Sequence, residues 1–186
     1  MTVMMRLFFA LELDKNTRDH LIKLMNRLRL SIQRGKWTRP ENLHLTLVFI
    51  GDCDAQRVPD LREIAKAAAE PFSPFCLQLE NWGTFGKNSD ILWVGISENV
   101  TLINLVADLR YLLRQAGFFV DERSYRPHIT LARMTRLAEP ITKIKPDDFA
   151  TCSMISELTL MESVREKSIL TYRPCFRQPF LSDPDQ

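Results

Sequence analysis

Apolar positions in this chain fall into two periods, and the switches between them mark out its elements. Residues 4–13 form a Leu- and Phe-rich run ending at Asp14, the pattern of a strand covered on both faces. Leu21, Leu24, Met25, Leu28 and Ile32 then recur at helical spacing, so a helix is predicted over 15–33, with Asp14 as N-cap and Gly35 just past its end. Residues 42–51 begin in strict alternation and read as a strand. Residues 60–70 place Leu61, Ile64, Ala65 and Ala68 on one helical face and stop at Pro71. Strands are expected at 74–82 and 90–97 around a turn region at 83–89. A helix is expected over 99–116, with its stripe of Leu102, Leu105, Val106, Leu109 and Leu113 closed by Gly117. A strand entered through Pro127 follows, then two more at 153–163 and 167–174.

Strand, helix and strand in the first half are echoed in the second, without a Pro-, Gly- or Ser-rich linker between them. The irregular mixture of strands and helices predicts an α+β fold with antiparallel sheets rather than a doubly wound parallel one. The whole of 1–186 is read as one domain, with 181–186 as a frayed tail.

Composition narrows the class. The 186 residues carry 25 basic and 23 acidic side chains, and 45% are hydrophobic. This argues against disorder, against a membrane span and against a long basic nucleic-acid-binding face. The N-terminus has no charged-then-apolar leader pattern. Cys53, Cys76, Cys152 and Cys175 are scattered without a CxxC pair, so reduced thiols in a cytoplasmic protein are expected.

The chemistry is concentrated in the histidines. Of the three, His20 lies beside Asp19 on the first helix and reads as a surface residue. The other two open matching tetrapeptides, His44-Leu45-Thr46-Leu47 and His128-Ile129-Thr130-Leu131, each on a predicted strand. Side chains at i and i+2 share a strand face, so each strand offers one imidazole and one hydroxyl on one side and buries two aliphatics on the other. Facing one another across a cleft, two such pairs suit phosphodiester chemistry without a metal. A neutral imidazole can take a proton from water, an imidazolium can give one to the leaving oxygen, and threonine hydroxyls can donate to the phosphate. One good ligand per strand is a poor zinc site, and neither a GxSxG elbow nor a GxxxxGK[ST] loop is present.

The doubled tetrapeptide, the opening Arg6-Leu7-Phe8-Phe9-Ala10-Leu11, and Arg126-Pro127 before the second motif resemble the two-histidine phosphoesterase superfamily. Within it the chain is similar to the RNA 2',3'-cyclic phosphodiesterases, also named 2'-5' RNA ligases, from Arg6 to about Pro174. The resemblance implies a bilobal α+β fold: two pseudo-symmetric lobes with largely antiparallel sheets, helices on their outer faces and the active site in the groove between. It implies metal-free hydrolysis of an RNA 2',3'-cyclic phosphate to a 2'-phosphate. By that resemblance His44 matches the proton donor, His128 the proton acceptor, and Thr46 and Thr130 the phosphate-binding threonines. No cofactor or metal is expected, the partners are RNA ends or small cyclic nucleotides, and a monomer away from membranes is expected.

Arg126, two residues before His128, is a candidate substrate-binding residue if the strand continues through Pro127. Arg6, Arg34, Lys36, Arg39, Arg123, Arg133 and Arg136 are candidates for the RNA backbone. Phe8, Phe9, Trp37, Trp82, Phe85 and Tyr125 are candidates for base stacking, with Phe8 better read as core. Ligation of RNA ends, a nucleotide- or RNA-end-binding module without turnover, and a phosphodiesterase for another cyclic phosphate or a 2'-5' oligonucleotide are the alternatives.

Overall fold

The first apolar run forms β1 (Met4–Glu12), and Asp14 caps α1 (Lys15–Leu28) by accepting from the Thr17 amide at 2.8 Å. The chain continues through β2 (Ile32–Trp37), β3 (His44–Asp54), α2 (Val58–Ala69), β4 (Phe75–Phe85), β5 (Ile91–Ile96) and α3 (Val100–Gln115). It closes with β6 (His128–Leu137), β7 (Ala150–Ile155), β8 (Glu157–Glu166) and β9 (Ile169–Pro179). This computed structural model describes residues 3–86, 90–138 and 149–181. The expected turn over 83–89 lies partly outside those residues, as does the tail from 182 onward. Leu181, assigned to the tail, is held by its amide to the Phe72 carbonyl at 3.1 Å.

The strands make two antiparallel sheets, ordered β3-β1-β8-β9 and β2-β6-β5-β4-β7. The architecture is the expected α+β one. α1 packs against β7, α2 against β8 and β9, and α3 against α2 and β3. One continuous apolar cluster joins both sheets and the helices, from Leu7, Phe9 and Leu11 to Leu92, Val94, Ile129 and Leu131. β1 is interior to its sheet, so its opposite face is also apolar. There Phe8 and Ala10 pack with Met161, and Tyr172 leans on them. That second face is the floor on which His44 sits.

Several elements differ from the sequence expectation. The first helix ends at Leu28, and Ile32 opens β2 instead of continuing it. β2 is an edge strand with no buried residue, so it lacks the alternation by which strands are read. Gly35 lies within β2 and is not a cap; a Cβ there would meet Thr135 Cγ2 at 3.1 Å. The strand expected at 153–163 is two strands, β7 and β8, separated at Ser156. His20 is not free on the helix surface, since its Nδ1 lies 3.1 Å from Thr151 Oγ1 of β7.

The cysteine reading is corrected too. Cys76 and Cys152 form a disulfide between β4 and β7, with Cα atoms 5.9 Å apart. The register pairs Cys76 with Met154 and Gln78 with Cys152, which makes the two cysteines diagonal neighbours on one sheet face. The β4–β7 pairing brings together two cysteines 76 positions apart in the sequence. Cys53 and Cys175 are free, the first buried and the second half-buried.

Candidate functional site

The repeated tetrapeptides open the two strands that face one another. His44 is the first residue of β3 and His128 the first of β6. Leu45, Leu47, Ile129 and Leu131 are buried, while His44, Thr46, His128 and Thr130 line one cleft of about 860 Å³. The Tyr125 hydroxyl, from the loop before β6, donates to the Thr46 carbonyl on β3 at 3.0 Å and ties the two halves together.

Both imidazoles are held in the same way. His44 Nδ1 lies 2.7 Å from the carbonyl of Asn42, and His128 Nδ1 lies 2.7 Å from the carbonyl of Arg126. In each case the partner is residue i−2. A carbonyl only accepts, so Nδ1 carries the proton and Nε2 is left for chemistry. His44 Nε2 sits 2.9 Å from Thr46 Oγ1, which donates to it when the ring is neutral. An aromatic ring meets each imidazole edge-on: Tyr172 at His44 (4.9 Å, 85°) and Phe85 at His128 (5.0 Å, 89°). Asn42 is buried and spans to β9, donating to the Leu170 carbonyl and accepting from the Tyr172 amide, so the same residue steadies ring and neighbour.

Each motif strand is irregular at its fourth residue. Along β3, Ala10 pairs with Thr46 but Phe9 with Val48, leaving Leu47 out of the register. Along β6, Trp93 pairs with Thr130 but Leu92 with Ala132, leaving Leu131 out. A bulge inverts the alternation beyond it. Phe49 and Arg133, each five residues after its histidine, therefore turn into the cleft. Phe49 is 46% exposed, with the Arg6 guanidinium 4.8 Å from its ring centroid.

The cleft is electropositive. Arg6, Arg123, Arg133 and Arg165 line it, and among the described residues no Asp or Glu does. Burial is the largest influence on His44 and pushes its pKa below the ordinary 6.5. The bond to Asn42 opposes this, while Arg133 and His128 depress it further. The neutral form thus prevails in the free protein at neutral pH. As pH falls below 6.5 the unfolded chain binds a proton that folded His44 does not, so this residue contributes a loss of stability toward acid. The urea midpoint is expected to fall between pH 7.5 and 5, and to fall less in His44→Gln.

The remaining candidates divide. Arg6, Arg123, Arg133 and Phe8 line the cleft; Phe8 is also buried, 5.1 Å from the His44 ring. Arg34, Lys36 and Arg136 lie along the β2–β6 pairing, away from its lining, and Arg39 pairs with Glu41. Phe9 is core, and Trp37 and Trp82 pack against the core. Arg126 lines not this cleft but an adjoining pocket. Sequence reasoning missed Asn42, Phe49, Tyr172 and Trp93. Trp93 stacks on Phe85 at 4.9 Å and lies over Gly83, where a Cβ would meet its Cζ2 at 2.6 Å. Gly83→Ala is expected to displace Trp93 and lower stability by about 1–3 kcal/mol in urea unfolding. Among the described residues no three His, Cys, Asp or Glu stand together as a metal-binding group. No described helix is long and apolar enough to cross a membrane.

A family model described as LigT like Phosphoesterase matches residues 11–93, which run from the end of β1 to the start of β5 and include the first motif. The chain belongs to this family of two-histidine phosphoesterases. A curated relative from Escherichia coli, named RNA 2',3'-cyclic phosphodiesterase, is 31% identical over 173 residues, covering 92% of this chain and 94% of that protein. A second of the same name, from Geobacillus stearothermophilus, is 28% identical over 186 residues, and the chain spans 58% of its length. Among solved structures, Escherichia coli LigT complexed with 3'-AMP superposes with a TM-score of 0.82 at 28% identity, over 96% of this chain and 99% of that one.

Proposed function

We propose that this protein hydrolyses 2',3'-cyclic phosphate ends of RNA to 2'-phosphates by two-histidine general acid–base catalysis without a metal. Membership of the family makes it a cyclic phosphodiesterase; the RNA substrate and the mechanism are the proposal. The observation that carries it is the pair of imidazoles on one arginine-lined cleft, each with Nδ1 tied to the carbonyl two residues before it. The relatives named RNA 2',3'-cyclic phosphodiesterase support the substrate class, and so do the LigT structures solved with 3'-AMP and with phosphate.

His128 Nε2 takes a proton from water as the water oxygen bonds to phosphorus. The bond from phosphorus to the 3'-oxygen breaks, and His44 Nε2–H delivers a proton to that oxygen. The products are a 2'-phosphate and a 3'-hydroxyl, and the two rings exchange protonation states. Thr46, Thr130 and Arg133 face the charge that grows on the non-bridging oxygens. A donor whose pKa is depressed in the free protein must gain its proton on binding. An anionic phosphodiester does this by offsetting the guanidinium of Arg133, which lowers His44 when the cleft is empty.

Ligation through a 2'-5' linkage uses the same groups in reverse. Residence in the cytoplasm and a monomeric state belong to the same proposal. The test is turnover, in EDTA, of an RNA ending in a 2',3'-cyclic phosphate beside a 3',5'-cyclic nucleotide. Selective turnover of the former is expected. Loss of activity in EDTA with restoration by a divalent cation would overturn the mechanism, and turnover of neither would favour a binding module.

A further inference from the structure

A second pocket, of about 710 Å³, adjoins the cleft and shares Thr46, Phe49, Arg123 and His128 with it. Its own walls bring Arg110, Arg126, Phe85 and Tyr125. We propose that this pocket is a subsite for the nucleotide on the 5' side of the reacting terminus, with Arg126 meeting its phosphodiester and Phe85 and Phe49 meeting its base. The proposal rests on the hydrolase reading above.

Charge and shape both point to this occupant. The pocket carries Arg110, Arg123 and Arg126 against one carboxylate, Asp121. That carboxylate is already engaged, accepting from Arg123 Nε at 2.8 Å and from the Arg123 amide at 2.9 Å, and its pKa is held down at about 2. Arg126 is exposed, and its guanidinium has no ion pair or hydrogen bond among the described residues. Its backbone is fixed, because its carbonyl accepts from His128 and the neighbouring Tyr125 hydroxyl donates to Thr46. The side chain is thus anchored two residues from His128, within reach of a strand leaving the cleft. Arg110 Nε is buried in the same wall without a partner. A guanidinium beside aromatic faces recognises a phosphodiester and a base together, without selecting a particular base.

A terminal nucleotide with its phosphorus between the histidines continues only through its 5'-oxygen. The pocket beginning at His128 and Thr46 gives that continuation a charged, aromatic-walled place. Cyclic mononucleotides would fill the cleft alone, whereas an oligonucleotide would fill both.

The experiment compares kcat/KM for adenosine 2',3'-cyclic phosphate with that for the adenosine dinucleotide and trinucleotide bearing the same end. In the wild type the dinucleotide is expected to exceed the mononucleotide by about ten-fold or more, with little added by the third nucleotide. Arg126→Ala is expected to cut the dinucleotide rate far more than the mononucleotide rate. It should also flatten the dinucleotide's log–log salt dependence by about one unit. Equal rates for the two substrates in the wild type would overturn the subsite. A loss in Arg126→Ala that is the same for both would also overturn it, because the residue would then act only on His128 or on the terminal base. If the wild type hydrolyses neither, the hydrolase reading fails. Calorimetric titration with the same mono- and dinucleotide then decides the subsite, tighter dinucleotide binding that is lost in Arg126→Ala supporting it and equal binding refuting it.

Discussion

Replacing either His44 or His128 by alanine is expected to lower kcat/KM on an RNA 2',3'-cyclic phosphate by about 10²–10⁴. Each ring is proposed to move one proton at one oxygen, and the Nδ1 bonds leave a single nitrogen, Nε2, on each ring for that transfer. The two act in one transition state, so the double variant should be little worse than the poorer single one. Substrate affinity should change less than turnover, since the arginines of the cleft remain. Single-turnover rates and separately measured binding distinguish the terms. A double variant whose losses multiply in full would mean that the rings act independently.

Arg133→Ala is expected to lower kcat/KM by about 10², the scale for losing one preorganised donor to developing charge. A second readout follows from electrostatics. Arg133 depresses the His44 pKa, so removing it should move the His44 titration upward in the free protein. Ring-carbon NMR titration of the wild type and variant would record this. A residue with only a structural role would lower activity without that upward movement. Arg133→Lys keeps the charge and should keep His44 low, while losing the planar fork that grips two phosphate oxygens.

How legible the site was in the sequence follows from which rule governed each residue. His44 with Thr46, and His128 with Thr130, share a strand face and line one cleft, as the pattern suggested, because two-residue periodicity holds over the first four positions of each strand. Phe49 and Arg133 lie just past the bulges at Leu47 and Leu131, where extrapolated alternation assigns each residue to the wrong face. A shared composition, an aliphatic fourth residue followed by Val48 or Ala132, carries no recognisable bulge signal. β2 was lost for another reason. Its edge position leaves it without a buried residue, and Ile32 fits the preceding helical stripe. Tyr172 and Phe85 touch the histidines through sheet pairings that no local pattern reveals, and the Cys76–Cys152 bond depends on the β4–β7 register in the same way. The second and third helices were read well because their burial stripes are continuous and the third is closed by Gly117 at φ +76°, whereas the first, marked at its start by Asp14, was carried past its end at Leu28 because Ile32 continues the stripe.

The claim at the centre is that two imidazoles hydrolyse a cyclic phosphate toward its 2' side. Phosphorus NMR of the product tests it most directly, using a short RNA 2',3'-cyclic phosphate and EDTA-treated protein with His44→Ala and His128→Ala run in parallel. A 2'-phosphate from the wild type, and no product from either variant on the same timescale, is the expected result. A 3'-phosphate, or turnover indifferent to both substitutions, would contradict it.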